Sequence, residues 1–271
     1  MPELPEVETT VRGLARVLDG ETIARIEPRR EGLRRPFPPE LVQLLTGARV
    51  TGLSRRAKYG LIHTERGQSL IFHLGMSGRW RIDPESIEKH DHLLIETGSG
   101  TVLALNDPRR FGSVDLVDEA RLGEWPAFAA LGPEPLGDEL SAAHLKAALA
   151  GRSAAIKLML LDQGVVAGLG NIYVCEALFR AGINPAKAAG RVSGLALARL
   201  VPAIKAVIAE AIEAGGSTLR DYAQPDGELG YFSKQFDVYD RAGQGCVRCQ
   251  APIRRIAQGG RSTWYCASCQ K

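Results

Sequence analysis

Pro2 and Glu3, at the start of the chain, are residue types suited to covalent chemistry. Removal of Met1, which a small second residue permits, would leave a free secondary amine beside a carboxylate. The pKa of an α-amine is about 7.7–8.0 against about 10.4 for a lysine, so the amine is far more often unprotonated at neutral pH. Its attack on a carbonyl-like carbon would give an iminium that favours elimination, with Glu3 transferring protons. The alternative is that Pro2 and Pro5 are ordinary N-terminal residues and Glu3 begins a helix.

Four of the five cysteines form two Cys-x-x-Cys pairs near the C-terminus, a spacing typical of zinc sites. The pairs are Cys246 with Cys249 and Cys266 with Cys269, separated by sixteen residues. Four thiolates form a closed tetrahedral shell, so we expect one structural Zn²⁺ that holds a hairpin and performs no chemistry. The fifth cysteine, Cys175, lies in a helical pattern and is expected to be a small buried hydrophobe.

Basic residues stand where phosphate groups could bind. Arg254, Arg255 and Arg261 flank a Gly-Gly turn between the cysteine pairs, so the expected hairpin has a basic tip. A solvated charged loop is the alternative. A glycine-rich turn leads into a helix at Asn171, with Lys157 one helix earlier. The free amides of a helix start bind phosphate, although Asn171 could simply cap its helix.

Two glycine-flanked turns in the first half carry large side chains that suit a surface better than a core. One holds Met76, and the other holds Arg109 and Phe111. Such residues can be inserted between base pairs while arginine replaces lost base contacts. Lys58, which precedes a strand, could equally be a solvated edge charge. A metal site at His90-Asp91-His92 is disfavoured because the sequence offers no obvious further ligands.

The spacing of apolar residues predicts an α+β protein of several domains. A helix over residues 5–18 precedes short strands with turn residues between them, typical of an antiparallel sandwich or barrel, and a Gly/Pro-rich linker leads into helices. The predicted domains are residues 1–130, 131–235 and 236–271. We expect Pro202 in or near the first turn of the last helix, since proline breaks helix interiors. The predicted strands span 22–26, 48–53, 59–64, 69–74, 93–97, 101–105 and 113–117, and the later helices 141–150, 154–162, 171–181 and 192–214.

Composition places the chain among ordinary globular proteins. It has 271 residues, 45% of them hydrophobic, and a net charge of +3, which neither requires nor excludes a nucleic-acid partner. Neither a signal segment nor a long apolar run is present, so a cytoplasmic protein with reduced thiols and no membrane association is expected. The glycine-rich turn lacks the lysine of a phosphate-binding loop, so no nucleotide cofactor is expected.

Taken together and in this order, the motifs resemble the formamidopyrimidine-DNA glycosylase family of bacterial base-excision repair. The motifs are Pro-Glu-Leu-Pro-Glu, Arg-Arg-Ala-Lys-Tyr, His-Leu-Gly-Met-Ser-Gly, Lys-His-Asp-His, Asp-Pro-Arg-Arg-Phe-Gly, Leu-Gly-Pro-Glu-Pro-Leu, Gly-Asn-Ile-Tyr and the four cysteines. The resemblance implies an N-terminal β-sandwich with an N-terminal helix, a helix–two-turn–helix domain and a C-terminal zinc-finger β-hairpin. It also implies a glycosylase and AP lyase that flips oxidised purines out of duplex DNA and cleaves the strand by β,δ-elimination.

The resemblance implies catalytic roles for four residues of this chain. Pro2 matches the nucleophile that attacks C1′ of the damaged nucleotide, and Glu3 matches the general acid/base. Lys58 matches a lysine that acts near the phosphates and in β-elimination, and Arg261 a residue linked to δ-elimination.

Other positions match residues that contact DNA in that family. Met76, Arg109 and Phe111 match the trio that fills the space left by the flipped base, with Arg109 facing the orphaned cytosine. Residues 215–231, which include Ser217, Thr218 and Arg220, match the loop that covers the lesion. The positions that match phosphate contacts are His90, Arg152, Lys157, Asn171 and Arg261.

Two other functions are compatible with parts of the sequence. The endonuclease VIII branch shares the catalytic start but prefers oxidised pyrimidines, and Leu4 and the Pro-Arg-Arg-Phe-Gly turn argue against it. A zinc-finger DNA-binding protein with an inert N-terminus would bind DNA without cleaving it. The expected partner is damaged double-stranded DNA, and a monomer suffices for one lesion. The expected location is the bacterial cytoplasm, at the nucleoid when bound, and the only expected cofactor is zinc.

Overall fold

The computed structural model describes residues 2–217 and 224–271, which form two compact units. The first unit extends to Ala129 and also includes the described part of Ala214–Tyr231. The second unit contains Ala130–Glu213 and Phe232–Lys271. The three domain ranges expected from the sequence stay a prediction.

The first unit begins with an amphipathic helix, α1 (Leu4–Leu18), whose apolar face is buried. Glu3 is its N-cap, and Glu3 and Glu6 form a capping box in which each side chain accepts a hydrogen bond from the other residue's backbone N–H. The predicted helix over residues 5–18 is confirmed to within one residue. The buried apolar side chains of α1 are Leu4, Val7, Val11, Leu14 and Leu18.

Behind α1, the described residues of the first unit form two four-stranded antiparallel sheets, as the sequence predicts. Their orders are β1-β6-β7-β5 and β2-β3-β4-β8. Apolar residues from α1 and both sheets, among them Phe72 and Trp80, form one core. The strands are β1 (Ile23–Pro28), β2 (Val50–Arg56), β3 (Tyr59–Thr64), β4 (Gln68–His73), β5 (Arg79–Ile82), β6 (Asp91–Thr97), β7 (Val102–Asn106) and β8 (Ser113–Asp118).

Among the short elements of this unit that were not predicted are β5 and the helices α2 (Leu41–Leu45) and α3 (Pro126–Ala129). Each has four or five residues, too few for a helical or alternating period to be distinguished. Pairing with β7 fixes the conformation of β5, and that pairing is not encoded locally.

The second unit contains the longer helices of the C-terminal half. They are α4 (Ala142–Leu149), α5 (Ile156–Leu161), α6 (Asn171–Ala181) and α7 (Gly194–Glu213). The predicted position of Pro202 is wrong, because this residue lies inside α7. Buried Leu197, Leu200 and Ile204 on both sides of it indicate that packing offsets the lost backbone hydrogen bond. The prediction that Asn171 caps α6 is also wrong, since Gly170 is the N-cap of this helix and Asn171 is its first residue.

The chain ends in a two-stranded hairpin of β9 (Arg254–Gln258) and β10 (Arg261–Tyr265). Its apolar residues join a small core with α6, which includes Cys175, Phe179 and Trp264. The predicted burial of Cys175 is confirmed, with 1% of the residue exposed. Within the described ranges, no helix has both the length and the apolar character needed to cross a membrane.

An ion pair between Glu8 of α1 and Arg55 of β2 gives a pH-dependent prediction. Burial alone would raise the pKa of Glu8, but hydrogen bonds from Arg55 and Arg12 lower it below its usual value. The group therefore adds stability above its unfolded pKa of about 4.3, and the contribution is lost as the pH falls through the folded pKa. We expect Glu8→Gln to reduce the free energy of unfolding by about 1 kcal/mol at pH 7.

Urea unfolding of Glu8→Gln and the wild type across pH 3–8 would measure this difference. It should shrink towards zero in the acid range. Glu27→Gln is the matched control, because its partner Arg25 is 65% exposed and such pairs contribute little. A Glu8→Gln deficit that is unchanged at pH 3 would contradict the prediction.

Candidate active site

The N-terminal residues of the candidate site are firmly held in the first unit. Pro2 is buried, and Glu3 and Glu6 are 2% and 1% exposed. Glu6 accepts hydrogen bonds from the backbone N–H of Glu3 at Oε2 and of Ser217 at Oε1, both at 2.8 Å. The anchored terminus therefore lies beside the start of the segment that matches the lesion-covering loop. Thr218 and Arg220 of that segment fall outside the described residues.

Lys58 lies in the tight turn between β2 and β3 and is 9% exposed. Ala57 of the same turn has a left-handed backbone with φ of 52°. Arg55 fixes the turn to α1, since its Nε donates to Glu8 at 2.8 Å and its guanidinium also donates to the carbonyl of Ala57 at 3.0 Å. The lysine is therefore carried on a turn that is tied to the same helix as Pro2 and Glu3.

His73, at the end of β4, is a neighbour of Lys58 that the sequence did not single out as a site residue. Burial, followed by the positive charge of Lys58, lowers the pKa of His73 to about 4. Its Nδ1 accepts a hydrogen bond from Gly75 at 3.0 Å, and its ring packs 4.9 Å from that of Tyr59. The histidine is therefore neutral at pH 7, and the positive charges around it are those of Lys58, Arg34 and Arg35.

The side chains expected to fill a vacated base site are exposed. Met76 is 37% and Phe111 46% exposed, and the Arg109 guanidinium lies 4.8 Å from the centre of the Phe111 ring. His90 is half-buried, with its ring 6.0 Å from that of His92. An exposed apolar pair next to a cation can both enter a base stack and meet a polar base edge.

The other residues that are predicted to contact DNA lie in the second unit, and they differ in how exposed they are. Arg152 and Arg261 are exposed. Lys157, in contrast, is fully buried, and its ammonium donates to the carbonyl of Ser262 at 3.1 Å and to Thr263 Oγ1 at 2.7 Å. Asn171 donates to the same carbonyl of Ser262 at 2.9 Å. Lys157 and Asn171 therefore hold strand β10 next to Arg261, and their contact with phosphate stays a prediction.

Glu176 of α6 is a residue that the sequence analysis missed. Its buried carboxylate accepts hydrogen bonds from three successive backbone N–H groups, those of Asp237, Val238 and Tyr239, at 2.8–3.0 Å. Burial raises the pKa of Glu176, while the three hydrogen bonds act in the opposite direction. The only local signal was an acidic residue inside an apolar helical run. This carboxylate fixes the chain that leads into the hairpin.

The four cysteines form a cluster that fits a tetrahedral metal. Their sulphur atoms all lie within 4.8 Å of one another. Those of Cys246 and Cys269 are 3.9 Å apart, and those of Cys249 and Cys266 are 3.5 Å apart. Thiolates bound at about 2.3 Å to one zinc would be about 3.8 Å apart in a tetrahedron. The donor set leaves no open coordination position, so a zinc ion here would be structural.

The predicted catalytic residues are distributed over both units. Pro2, Glu3 and Lys58 belong to the first unit, with the three exposed residues Met76, Arg109 and Phe111. Arg261 belongs to the second unit, with the cysteine cluster. The first unit thus carries the candidate nucleophile and proton carrier, and the second carries exposed cations around a braced hairpin.

Family models match most of the chain. Residues 1–114 match the formamidopyrimidine-DNA glycosylase N-terminal domain, and residues 131–223 match the H2TH domain of the same family. Residues 243–271 match a zinc finger found in FPG and IleRS.

Relatives that match this chain over its full length are named formamidopyrimidine-DNA glycosylases. The formamidopyrimidine-DNA glycosylases of Novosphingobium aromaticivorans and Zymomonas mobilis are 69% and 52% identical, and each match covers 100% of both chains. The crystal structure of the MutM (Fpg) protein of Thermus thermophilus is 38% identical, with a TM-score of 0.90 over 99% of this chain and 98% of that one. A Lactococcus lactis Fpg mutant in complex with Fapy-dG-containing DNA is 34% identical, with a TM-score of 0.93 and complete coverage of both chains. With its sequence matched from end to end and its fold matched at this level, the chain belongs to the formamidopyrimidine-DNA glycosylase family.

Proposed function

We propose that this protein is a bifunctional DNA glycosylase and AP lyase that removes oxidised purines, 8-oxoguanine and formamidopyrimidines, from duplex DNA. The observation that carries the proposal is the buried Pro2-Glu3 terminus, held by the carboxylate of Glu6 at 2.8 Å. Family membership and the Lactococcus lactis complex with Fapy-dG-containing DNA support the substrate class. The enzyme acts as a monomer in the bacterial cytoplasm, at the nucleoid when bound.

The proposed reaction begins once Met1 has been removed and the damaged nucleotide has left the duplex. The Pro2 nitrogen forms a bond to C1′ as the bond from C1′ to the base breaks, and the base leaves with that electron pair and takes up a proton. Glu3 moves protons between the sugar and the leaving groups. The Pro2 nitrogen then loses its proton, and its lone pair forms a double bond to C1′ as the C1′–O4′ bond breaks and O4′ takes up a proton from Glu3, which opens the sugar ring. The resulting iminium has no N–H to lose, so it withdraws electrons from C2′ until a C2′ proton is released.

Strand cleavage follows from the same iminium. Loss of the C2′ proton expels the 3′-phosphate in β-elimination, and a second loss further along the sugar expels the 5′-phosphate in δ-elimination. Lys58 and Arg261 stabilise the phosphates that depart in these steps. The steps transfer protons and phosphate groups but no electrons to a carrier, so they need neither a redox nor a nucleotide cofactor.

DNA binding in this proposal combines phosphate contacts with a filler for the empty base site. His90, Arg152, Asn171 and Arg261 bind phosphates and position the duplex without reading its sequence. Met76, Arg109 and Phe111 occupy the vacated space, with Arg109 facing the orphaned cytosine. Ser217, Thr218 and Arg220 belong to the loop over the everted lesion. Lys157 contacts phosphate as well, in addition to bracing the hairpin.

A structural zinc ion completes the proposed enzyme. Cys246, Cys249, Cys266 and Cys269 would hold it, and the ion would stabilise the hairpin that presents Arg261. Its chemistry is limited to coordination of the four thiolates.

Substitution of the two N-terminal residues tests the chemistry. We expect Pro2→Gly and Glu3→Gln each to reduce single-turnover removal of 8-oxoguanine by at least about 100-fold, because nucleophile and proton carrier both act in the transition state. Excision from a duplex with 8-oxoguanine opposite cytosine is the assay. Glu27→Gln, a carboxylate change in the same unit whose partner Arg25 is 65% exposed, is the matched control and should keep wild-type excision. Unchanged base removal in either N-terminal variant would refute the assignment.

A comparison of substrates tests the lesion class. We expect excision of 8-oxoguanine opposite cytosine to exceed that of thymine glycol in an otherwise identical duplex. The comparison is informative because a Lactococcus lactis Fpg has been solved with DNA that contains an oxidised pyrimidine. Faster removal of thymine glycol would favour the endonuclease VIII-type function.

Metal analysis tests the zinc site. We expect about one zinc ion per chain, and its loss together with duplex binding in Cys246→Ser, because the thiolate shell stabilises the hairpin. Elemental analysis and fluorescence anisotropy would measure both. Cys175→Ala, at the fifth cysteine, is the control and should retain zinc. Full zinc content in Cys246→Ser would contradict the assignment.

A further inference from the structure

Two loops of the first unit carry the exposed side chains that the proposed function inserts into DNA. The methionine loop, residues 74–78, connects β4 to β5 and presents Met76. The arginine loop, residues 107–112, connects β7 to β8 and presents Arg109 and Phe111. The loops are distant in sequence, so their relative position depends on contacts between them.

A buried carboxylate joins the two loops. Asp107 is fully buried and Ser77 is 6% exposed. Asp107 accepts a hydrogen bond from Ser77 Oγ at Oδ1, at 2.6 Å, and from the Gly112 N–H at Oδ2, at 2.8 Å. Ser77 Oγ in turn accepts from the Arg109 N–H at 3.3 Å. One serine and one aspartate therefore connect the methionine loop to both ends of the segment that carries Arg109 and Phe111.

The backbones of the two loops also touch directly. Gly75 has a left-handed φ of 61°, and a Cβ built on it would lie 2.4 Å from the carbonyl carbon of Phe111 and 2.5 Å from the nitrogen of Gly112. A Cβ on Gly112 would lie 2.8 Å from the carbonyl oxygen of His73. The close approach requires glycine at these positions, so the Ser77–Asp107 hydrogen bond joins two loops whose backbones are in direct contact.

We propose that Ser77 and Asp107 are positioning residues that lock the two loops into one preformed wedge for base eversion. The inference rests on the proposed function, because only a DNA-distorting enzyme needs such a wedge. Separating two stacked base pairs costs free energy. A flexible loop would change its own conformation instead of separating them. Two loops held by a buried charge-assisted hydrogen bond enter the stack together, with no ordering cost at insertion.

The wedge is needed for duplex substrates but not for the covalent chemistry of Pro2. A single-stranded abasic oligonucleotide has no stack to enter, although its C1′ can still react with the amine. Loss of the Ser77–Asp107 hydrogen bond should therefore slow excision from a duplex, while borohydride trapping on the single strand should stay unchanged. A simple loss of folded protein would reduce both reactions equally.

The experiment compares the wild type with Ser77→Ala and Asp107→Asn. Single-turnover excision is measured on a duplex with 8-oxoguanine opposite cytosine, and borohydride trapping on a single-stranded abasic oligonucleotide. We expect the rate of duplex excision to fall about tenfold in each variant, because each loses one buried hydrogen bond to a charged group. Trapping on the single strand should stay within about twofold of wild type. The fluorescence rise of a 2-aminopurine beside the lesion, which reports unstacking, should slow by the same factor as excision.

Ser54→Ala is the matched control, because Ser54 Oγ makes a similarly short hydrogen bond of 2.6 Å, to His63 Nε2, and lies in the same unit outside both loops. It should behave as wild type on both substrates. Wild-type duplex excision in Ser77→Ala, or equal losses on duplex and single strand, would overturn the wedge. Failure of the wild-type protein itself to trap the abasic strand would instead remove the proposed function.

Discussion

The chemistry proposed for this chain depends on holding a chain end in one place. Chain termini fray unless they are tied down, and a nucleophile that moves loses most of its effective concentration. Here the apolar face of α1 is buried in the core of the first unit, and Glu6 binds the backbone N–H groups of Glu3 and Ser217. One carboxylate thus fixes both the terminus that carries the candidate nucleophile and the first part of the segment 215–231. Changes in the packing of α1 should therefore affect the reaction as well as stability.

Buried polar side chains support exposed functional groups in both units. Asp107 holds the loops of Met76 and Arg109, and Lys157 holds strand β10 beside Arg261. Glu176 binds the backbone at residues 237–239, ahead of the cysteine cluster. A buried polar group that loses its partner costs more than the bond itself contributed, so each of these residues favours one local geometry.

Patterns that repeat locally were readable from the sequence, while long-range contacts were not. The period of α1, the short strand-forming runs such as β3 and the spacing of the cysteines predicted their elements to within a few residues. The strand β5 was missed because pairing with β7 defines it, and Pro202 was misplaced because burial of α7 outweighs a local rule. The burial of Lys157 could not be predicted, since no sequence pattern shows which way a lysine on a short helix points. Glu176 was overlooked for the same reason.

Pro2 is the proposed covalent nucleophile, and its role can be tested by mapping the bond between protein and DNA. Borohydride would be added to the wild-type protein with a duplex that contains one 8-oxoguanine opposite cytosine. Mass spectrometry of the trapped complex, after digestion, would locate the modified residue. We expect protein that lacks Met1 and a single adduct on the nitrogen of Pro2. An adduct on a lysine such as Lys58, or no adduct from Met1-free protein, would show that Pro2 is not the nucleophile.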